Sequence, residues 1–88
     1  MPYIKQERRE TIGNAGLREL IHLAESGALN AGDLNYIFTT IAHAYLEEDM
    51  SYQKVNDLVG ALEGCKLELY RRKAVPYEDL KIAENGDV

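Results

Sequence analysis

Three consecutive cations, Arg71, Arg72 and Lys73, lie between Tyr70 and Tyr77 in a chain whose overall charge is negative. Guanidinium groups bind phosphate and carboxylate through paired hydrogen bonds. A tyrosine ring can stack on a base or cover the organic part of a ligand. This segment therefore predicts a binding site for a small anionic, nucleotide-like ligand.

A second group of cations, which includes Arg8 and Arg9, lies near the N-terminus. If this arm folds back towards residues 66–79, the two groups form one basic pocket. We expect the arginines to hold the charged groups of the ligand and the tyrosines to cover the rest. The predicted ligand-binding residues are Arg71, Arg72, Arg8, Arg9, Tyr70, Tyr77 and Tyr3.

The same cations have an alternative explanation that involves no ligand. Lysine and arginine near the C-terminus of a helix complement its dipole. They also pair with carboxylates three or four residues away, and Glu68, Glu78 and Asp79 are close enough in sequence. Both interpretations stay open at this point.

Catalytic chemistry has little support in the sequence. His22 and His43 lack the spacing of a helical zinc motif, and the lone Cys65 cannot build a zinc site with cysteines. Gly32-Asp33-Leu34 is superficially similar to a motif of the MazG-type nucleotide pyrophosphatases, but the paired acidic motifs that bind their magnesium are missing. We predict a protein that is not an enzyme and that has no catalytic residue, no metal and no cofactor.

The elements that must position these residues are helices, because apolar residues recur with helical spacing. Asn30 and Ser51 are good N-caps for two long helices, and Asn14 can cap a shorter one that stops at Gly27. Pro76 is expected to end or kink the third helix, with a short helical turn over 77–83. The predicted segments are a polar arm over 1–13, helices over 14–26, 31–48 and 51–74, and a C-terminal segment over 76–88.

The third helix carries an apolar seam with alternating three- and four-residue spacing, as in a coiled coil. Gly60 and Gly64 lie one turn apart in it, and each costs about 1 kcal/mol relative to alanine. That cost indicates close approach of another backbone, from the first helix or from a second subunit. Cys65 lies on the seam and is expected to be buried. The seam residues are Val55, Leu58, Leu62, Cys65 and Leu69.

These features predict an all-α fold in which the two long helices form an antiparallel hairpin, because the link between them is short. A short N-terminal helix and a short C-terminal turn complete it. The 88 residues are expected to form one domain, 1–88, that assembles as a homo-oligomer.

The net charge and the hydropathy of the chain restrict the partners that we expect it to bind and the cellular compartment that we expect it to occupy. The net charge of −5 opposes general nucleic-acid binding, because neutralisation of phosphates dominates that affinity. No apolar run approaches the roughly 20 residues that span a bilayer, and the N-terminus does not resemble a signal peptide. We therefore expect a cytoplasmic protein without a membrane partner.

The chain contains five motifs that matter together. They are Met1-Pro2-Tyr3-Ile4, Gly32-Asp33-Leu34-Asn35-Tyr36, Leu67-Glu68-Leu69-Tyr70-Arg71-Arg72, Pro76-Tyr77-Glu78-Asp79 and Glu84-Asn85-Gly86-Asp87-Val88. This combination resembles a family of small uncharacterised proteins of bacteria and tailed phages. The resemblance covers nearly the whole chain, and its C-terminal part is the most specific. It implies no activity and no catalytic residues, and a phage setting would favour a counter-defence role such as sequestering a nucleotide immune signal.

Two functions follow as expectations. The first is non-enzymatic binding of a small anionic, nucleotide-like ligand. The alternative is an acidic protein–protein interaction module, or an inhibitor of a basic host protein. The net charge of −5 and the acidic run Glu47-Glu48-Asp49 support the alternative.

Overall fold

The computed structural model describes residues 4–88, and these residues form helices without any strand, so the predicted all-α class is confirmed. Two π-helical turns, Gly13–Leu17 and Tyr70–Ala74, lie between α-helices that follow one another directly. The α-helices are α1 (Gln6–Ile12), α2 (Arg18–Glu25), α3 (Ala31–Leu46), α4 (Tyr52–Leu69) and α5 (Val75–Asn85).

The described residues divide into two compact units, 4–49 and 50–88. Helices α1 to α3 belong to the first unit, and α4 and α5 belong to the second. The expected antiparallel hairpin would join a helix of one unit to a helix of the other. That hairpin, the single domain and the homo-oligomer therefore stay predictions.

The N-terminal region differs from the polar arm expected over 1–13, because α1 covers Gln6–Ile12. Glutamine, glutamate and arginine are all good helix formers, and no glycine interrupts them before Gly13. Glu7 in the first turn and Arg9 in the last turn also complement the helix dipole. The polar composition was therefore compatible with an exposed helix.

Gly16 interrupts the helical backbone between α1 and α2. Its backbone angles are φ 135° and ψ −15°, which side chains other than glycine rarely adopt. The helix predicted from residue 14 therefore begins only at Arg18, and Asn14 lies inside the π-helical turn rather than at a cap. The predicted stop is confirmed, since α2 ends at Glu25 and Gly27 has a φ of 79°.

Two glycine substitutions should change stability in opposite directions. Gly16→Ala is expected to lower the free energy of unfolding by about 1–3 kcal/mol, because alanine must adopt the strained backbone angles. Gly60→Ala should raise it by about 1 kcal/mol, since residue 60 lies inside α4 and a methyl group there meets no atom of residues 4–88 within 4 Å apart from the adjacent backbone of α4. Urea denaturation of both variants measures the two changes.

Gly60→Ala also tests the close backbone approach expected at the glycine pair. Apart from the neighbouring backbone of α4 itself, no atom of the described residues 4–88 lies within 4 Å of a Cβ added at Gly60 or Gly64. A second copy packed against this face would make the alanine destabilising and would shift the oligomer towards smaller species. Equal stability of Gly16→Ala and the wild type would contradict the strain assigned to Gly16.

Helix α3 begins where its sequence predicts. The Asn30 Oδ1 accepts a hydrogen bond from the Asp33 N–H at 2.8 Å, and the Asn30 N–H donates to Asp33 Oδ2 at 3.0 Å. This reciprocal capping box satisfies donors that the first turn of a helix leaves unpaired. Ser51 caps α4 in a similar way, because its hydroxyl accepts from the Lys54 N–H at 3.2 Å.

The region around Pro76 corrects the expected helix end. The helical path continues from α4 through the π-helical turn Tyr70–Ala74 into α5, which runs to Asn85. In this turn the Val75 N–H donates to the Tyr70 carbonyl, five residues earlier. A proline ring collides with the carbonyl four residues before it, here that of Arg72, and a wider turn relieves this collision. The wide turn lets a proline lie within a continuous helical path.

The apolar faces of both units are open to solvent. No hydrophobic side chain among residues 4–88 is buried, and Cys65 is exposed, which corrects the expectation for this thiol. None of the helices that the structure describes is long and apolar enough to cross a bilayer. The exposed faces are therefore surfaces that another helix can cover.

Candidate functional site

The cationic turn is organised by Glu68, which lies in the last turn of α4. Its Oε1 accepts hydrogen bonds from two guanidinium groups, from Arg71 Nη2 at 2.6 Å and from Arg72 Nε. The spacings of three and four residues place both arginines on the same side of the helix as the carboxylate. Glu68 therefore holds the two guanidinium groups side by side.

The ionisation of Glu68 follows from this geometry. Its side chain is only 20% exposed, and this partial desolvation opposes the charged form. The hydrogen bonds and positive charges of Arg72 and Arg71 outweigh that effect, so the pKa of Glu68 lies below its ordinary value of 4.5. The stabilisation by this cluster is complete above the ordinary pKa and is lost as the pH falls through the lower folded value.

The arginines keep much of their surface available although they pair with Glu68. The Arg71 side chain is 65% exposed and that of Arg72 is 56% exposed. A guanidinium carries five N–H donors, so pairing with one carboxylate oxygen does not by itself use all of them. With Lys73 in the same turn, three positive charges lie beside one negative charge. The predicted pairing with Glu68 is thus observed, and it leaves a local excess of positive charge.

The π-helical turn changes how the two tyrosines are placed. On an uninterrupted α-helix, Tyr70 and Tyr77 would share a face, because they lie seven residues apart. A π-helical turn contains an extra residue and rotates the following helix by about 100° relative to that pattern. Tyr70 directly precedes Arg71 in the sequence, and the extra residue of the turn places Tyr77 on a different side of the helical path from Tyr70.

Tyr77 has a cation of its own. Lys81 places Nζ 5.5 Å from the centre of the Tyr77 ring, and the same atom lies 3.4 Å from Glu84 Oε2. This cation–π contact was not among the predicted site residues. The four-residue spacing of Tyr77 and Lys81 on a helix was the signal that could have revealed it.

The remaining predicted site residues lie elsewhere in the chain. Arg8 and Arg9 are exposed on α1, which belongs to the unit 4–49. Tyr3 lies outside the described residues. The contribution of these three residues to one pocket with the cationic turn stays a prediction.

Between Ile4 and Val88, no group of three histidine, cysteine, aspartate or glutamate side chains is arranged to hold a metal ion. The arrangement that the structure does provide is a pair of guanidinium groups on an exposed helical turn. Its chemistry is the recognition of an oxyanion.

Fold and site define a small all-α protein with a cationic π-helical turn at Tyr70–Ala74. The chain belongs to the family described as a domain of unknown function, DUF6899, whose model matches residues 1–88. No curated protein and no solved structure matches the chain. The resemblance to a family of uncharacterised proteins is thereby confirmed, and the phage setting stays a proposal.

Proposed function

We propose that this protein is a non-enzymatic binding protein for a small anionic, nucleotide-like ligand. Arg71 and Arg72 hold a phosphate group of the ligand, and Tyr70 covers its organic part. The observation that carries this proposal is the convergence of both guanidinium groups on one carboxylate oxygen of Glu68.

Convergence on one oxygen matters because it marks where an oxyanion is held. The oxygens of a phosphate can take the positions that the guanidinium donors define, and a phosphate carries more negative charge than a carboxylate. The ordering of two long side chains normally opposes binding, and Glu68 has already ordered these two. The Glu68 carboxylate thus prearranges the arginines and also competes with the ligand for their donors.

The organic part of the ligand is assigned to Tyr70. This ring directly precedes Arg71 and is more than half exposed. An exposed tyrosine beside two guanidinium groups suits a molecule that has a flat ring at one end and a phosphate at the other. A nucleotide has this chemistry.

The wider setting is part of the same proposal. A homo-oligomer in the cytoplasm would allow Arg8 or Arg9 of a second subunit to complete the site. Sequestration of a nucleotide immune signal by a phage protein would need such binding and no catalysis. The family supplies no activity that could support or replace this role.

A thermal-shift panel tests the proposal directly. Inorganic phosphate, mononucleotides, dinucleotides and cyclic dinucleotides are compared with the matching nucleosides, which lack phosphate. We expect at least one phosphorylated compound to raise the melting temperature while its nucleoside does not. Native mass spectrometry of the purified protein then identifies any bound compound. A panel in which no phosphorylated compound stabilises the protein would overturn the proposal.

Glu68→Gln is expected to strengthen binding of the phosphorylated compound roughly fourfold. The substitution removes one negative charge about 5 Å from the ligand, and this repulsion is weakened by water because the site is exposed. Isothermal titration calorimetry at pH 7 measures the change. Weaker binding by Glu68→Gln would show that ordering of the arginines matters more than competition for them.

A further inference from the structure

The Glu68 carboxylate already occupies the position that the proposed function gives to a ligand oxygen. Arg71 Nη2 donates a hydrogen bond to Glu68 Oε1 at 2.6 Å, and Arg72 Nε donates to the same oxygen. Both bonds are charge-assisted, which makes them stronger than hydrogen bonds between neutral groups. A ligand therefore meets two guanidinium groups that already hold an anionic oxygen.

The carboxylate has an advantage over any ligand of the same charge. It is fixed on the same helical path, three residues from Arg71 and four from Arg72, so its local concentration at the guanidinium groups is high. A singly charged group offers the arginines no more negative charge than Glu68 does. Such a group therefore gains little when it competes with the carboxylate.

Glu68 stays a negatively charged competitor between pH 5 and 8. Partial desolvation opposes its charged form, but the hydrogen bonds and positive charges of Arg72 and Arg71 outweigh this effect and hold the pKa of the carboxyl below 4.5. Any ligand in this pH range thus competes with an ionised carboxylate.

A phosphate group with a second negative charge changes this balance. Two guanidinium groups and one carboxylate produce a net positive potential at the turn, and Lys73 in the same turn adds to it. The attraction to this potential doubles when the charge of the ligand doubles from −1 to −2. A phosphate monoester gains its second charge above its second pKa, which is about 6, whereas a phosphodiester keeps a single charge.

We propose that the cationic turn Tyr70–Ala74 selects a terminal phosphate monoester in its dianionic form over phosphodiesters and other singly charged groups. This inference rests on the proposed function, because the same two arginines hold the ligand. It narrows the ligand to nucleotides that end in a phosphate monoester. Cyclic dinucleotides are disfavoured, because every phosphate in them is a diester.

Phenyl phosphate and phenyl sulfate form a matched pair of probes. Both have a flat ring and a tetrahedral oxyanion, but phenyl sulfate carries one negative charge throughout pH 5 to 8, whereas phenyl phosphate carries two at pH 7.5. Methyl phenyl phosphate adds a diester with a single charge. Amide chemical shifts of residues 66–79 in the full-length protein measure the three dissociation constants at low salt.

At pH 7.5, phenyl phosphate is expected to bind about tenfold more tightly than phenyl sulfate or the diester. Its second charge adds the attraction of two nearby cations, less the repulsion of one carboxylate. Equal affinity for phenyl phosphate and phenyl sulfate would overturn the inference, and so would the absence of phenyl phosphate binding. If a nucleotide nevertheless stabilises the protein in the thermal-shift panel, the proposed function stands and only the selectivity is lost.

A change of pH alters the charge of the phosphate and leaves that of the sulfate constant. The dissociation constant of phenyl phosphate should rise about tenfold, towards that of phenyl sulfate, as the pH falls from 7.5 to 5, because the phosphate takes up a proton near pH 6. Residues 50–88 contain no histidine, the side chain that ordinarily titrates in this range. The charged side chains on the helices that join the turn are carboxylates and amines, and those nearest to it in sequence are Glu63 and Lys66 on α4 and Glu78, Asp79, Lys81 and Glu84 on α5.

The affinity for phenyl sulfate should therefore stay constant over the same range. This measurement also controls for the histidines elsewhere in the chain. A parallel loss of affinity for both probes would assign the pH dependence to the protein and would overturn the inference.

A variant locates the selectivity in the turn. In Arg72→Ala one guanidinium is balanced by one carboxylate, so the preference for phenyl phosphate over phenyl sulfate should fall from about tenfold to about twofold. Lys54→Ala is the matched control, because it removes one cation about 20 Å along the helix from Glu68 and should keep the full preference. Circular dichroism verifies that both variants keep their helices. A full tenfold preference in Arg72→Ala would overturn the assignment of the selectivity to this turn.

Discussion

Replacing Arg71 and Arg72 together with alanine is expected to weaken binding of a phosphorylated ligand at least about 100-fold. Each guanidinium contributes charge-assisted hydrogen bonds, which are worth about 1.5–3 kcal/mol apiece, and loss of two such bonds corresponds to at least this factor. The helical path should persist, because both side chains are mostly exposed and alanine is a better helix former. Calorimetry measures the affinity, and circular dichroism verifies the helix content.

The control for this double variant must remove the same charge elsewhere. Arg18→Ala with Lys54→Ala removes two cations from α2 and α4 and leaves the cationic turn intact. It should change the affinity less than the arginine variant by about an order of magnitude or more, because neither residue belongs to the predicted site. Equal losses in the two double variants would mean that overall charge, and not the paired guanidinium groups, holds the ligand.

A third double variant tests the predicted arm. If Arg8 or Arg9 completes the pocket, replacing both with alanine should weaken binding as well, by a smaller factor than loss of Arg71 and Arg72. Unchanged affinity would restrict the site to the unit 50–88. This outcome bears on the composition of the site and leaves the role of the cationic turn untouched.

The parts of the fold that local chemistry determines were predictable from the sequence. Asn30 and Ser51 cap α3 and α4 as predicted, because a short polar side chain can reach the unpaired N–H groups of a first turn. The stop at Gly27 follows from its freedom to adopt a positive φ. The pairing of Glu68 with the arginines follows from spacings of three and four residues on a helix.

The two π-helical turns were not predictable in the same way. A proline inside a helical pattern indicates a stop or a kink, and nothing local to Pro76 indicates that a wider turn will accommodate it. Gly16 lies inside the helix predicted over 14–26, whereas its unusual φ changes the direction of the chain there. The alternatives at these positions differ by small local energies, so the local sequence does not decide among them.

The candidate site was predictable only as far as it lies on one helix. The meeting of residues 5–9 with residues 66–79 depends on contacts between distant parts of the chain or between copies. Periodicity reports which face of a helix is apolar, and it carries no information about which surface will cover that face.

Pro76→Ala is expected to raise the free energy of unfolding by about 1–3 kcal/mol. Proline inside a helix costs about 3 kcal/mol relative to alanine, and the wide turn has already relieved part of that cost. Alanine supplies the missing N–H and removes the ring from the carbonyl of Arg72, so residues 70–74 can close into a regular α-helix. Val75→Ala is the matched control, because it alters the same turn and leaves its hydrogen-bond donors unchanged.

Pro76→Ala is also expected to change the conformation of the chain after the turn. Loss of the extra residue in the turn should rotate α5 by about 100° and bring Tyr77 onto the same face as Tyr70. Overhauser contacts between residues 70 and 74, which are typical of a regular α-helix, would report closure of the wide turn. Urea denaturation measures the free energy of unfolding. A free energy of unfolding lower than that of the wild type would contradict the strain assigned to Pro76.

The free energy of unfolding and the ligand affinity of Pro76→Ala together show whether the proline has a role in binding. If the variant is more stable and binds the phosphorylated ligand less tightly, the wide turn is a strained arrangement that presents the arginines beside Tyr70 at a cost in stability. If stability rises and binding stays the same, the turn accommodates Pro76 and has no part in recognition. Because Glu68 precedes the turn, its pairing with Arg71 and Arg72 should survive in either case, and a difference in affinity would report the geometry of the turn itself.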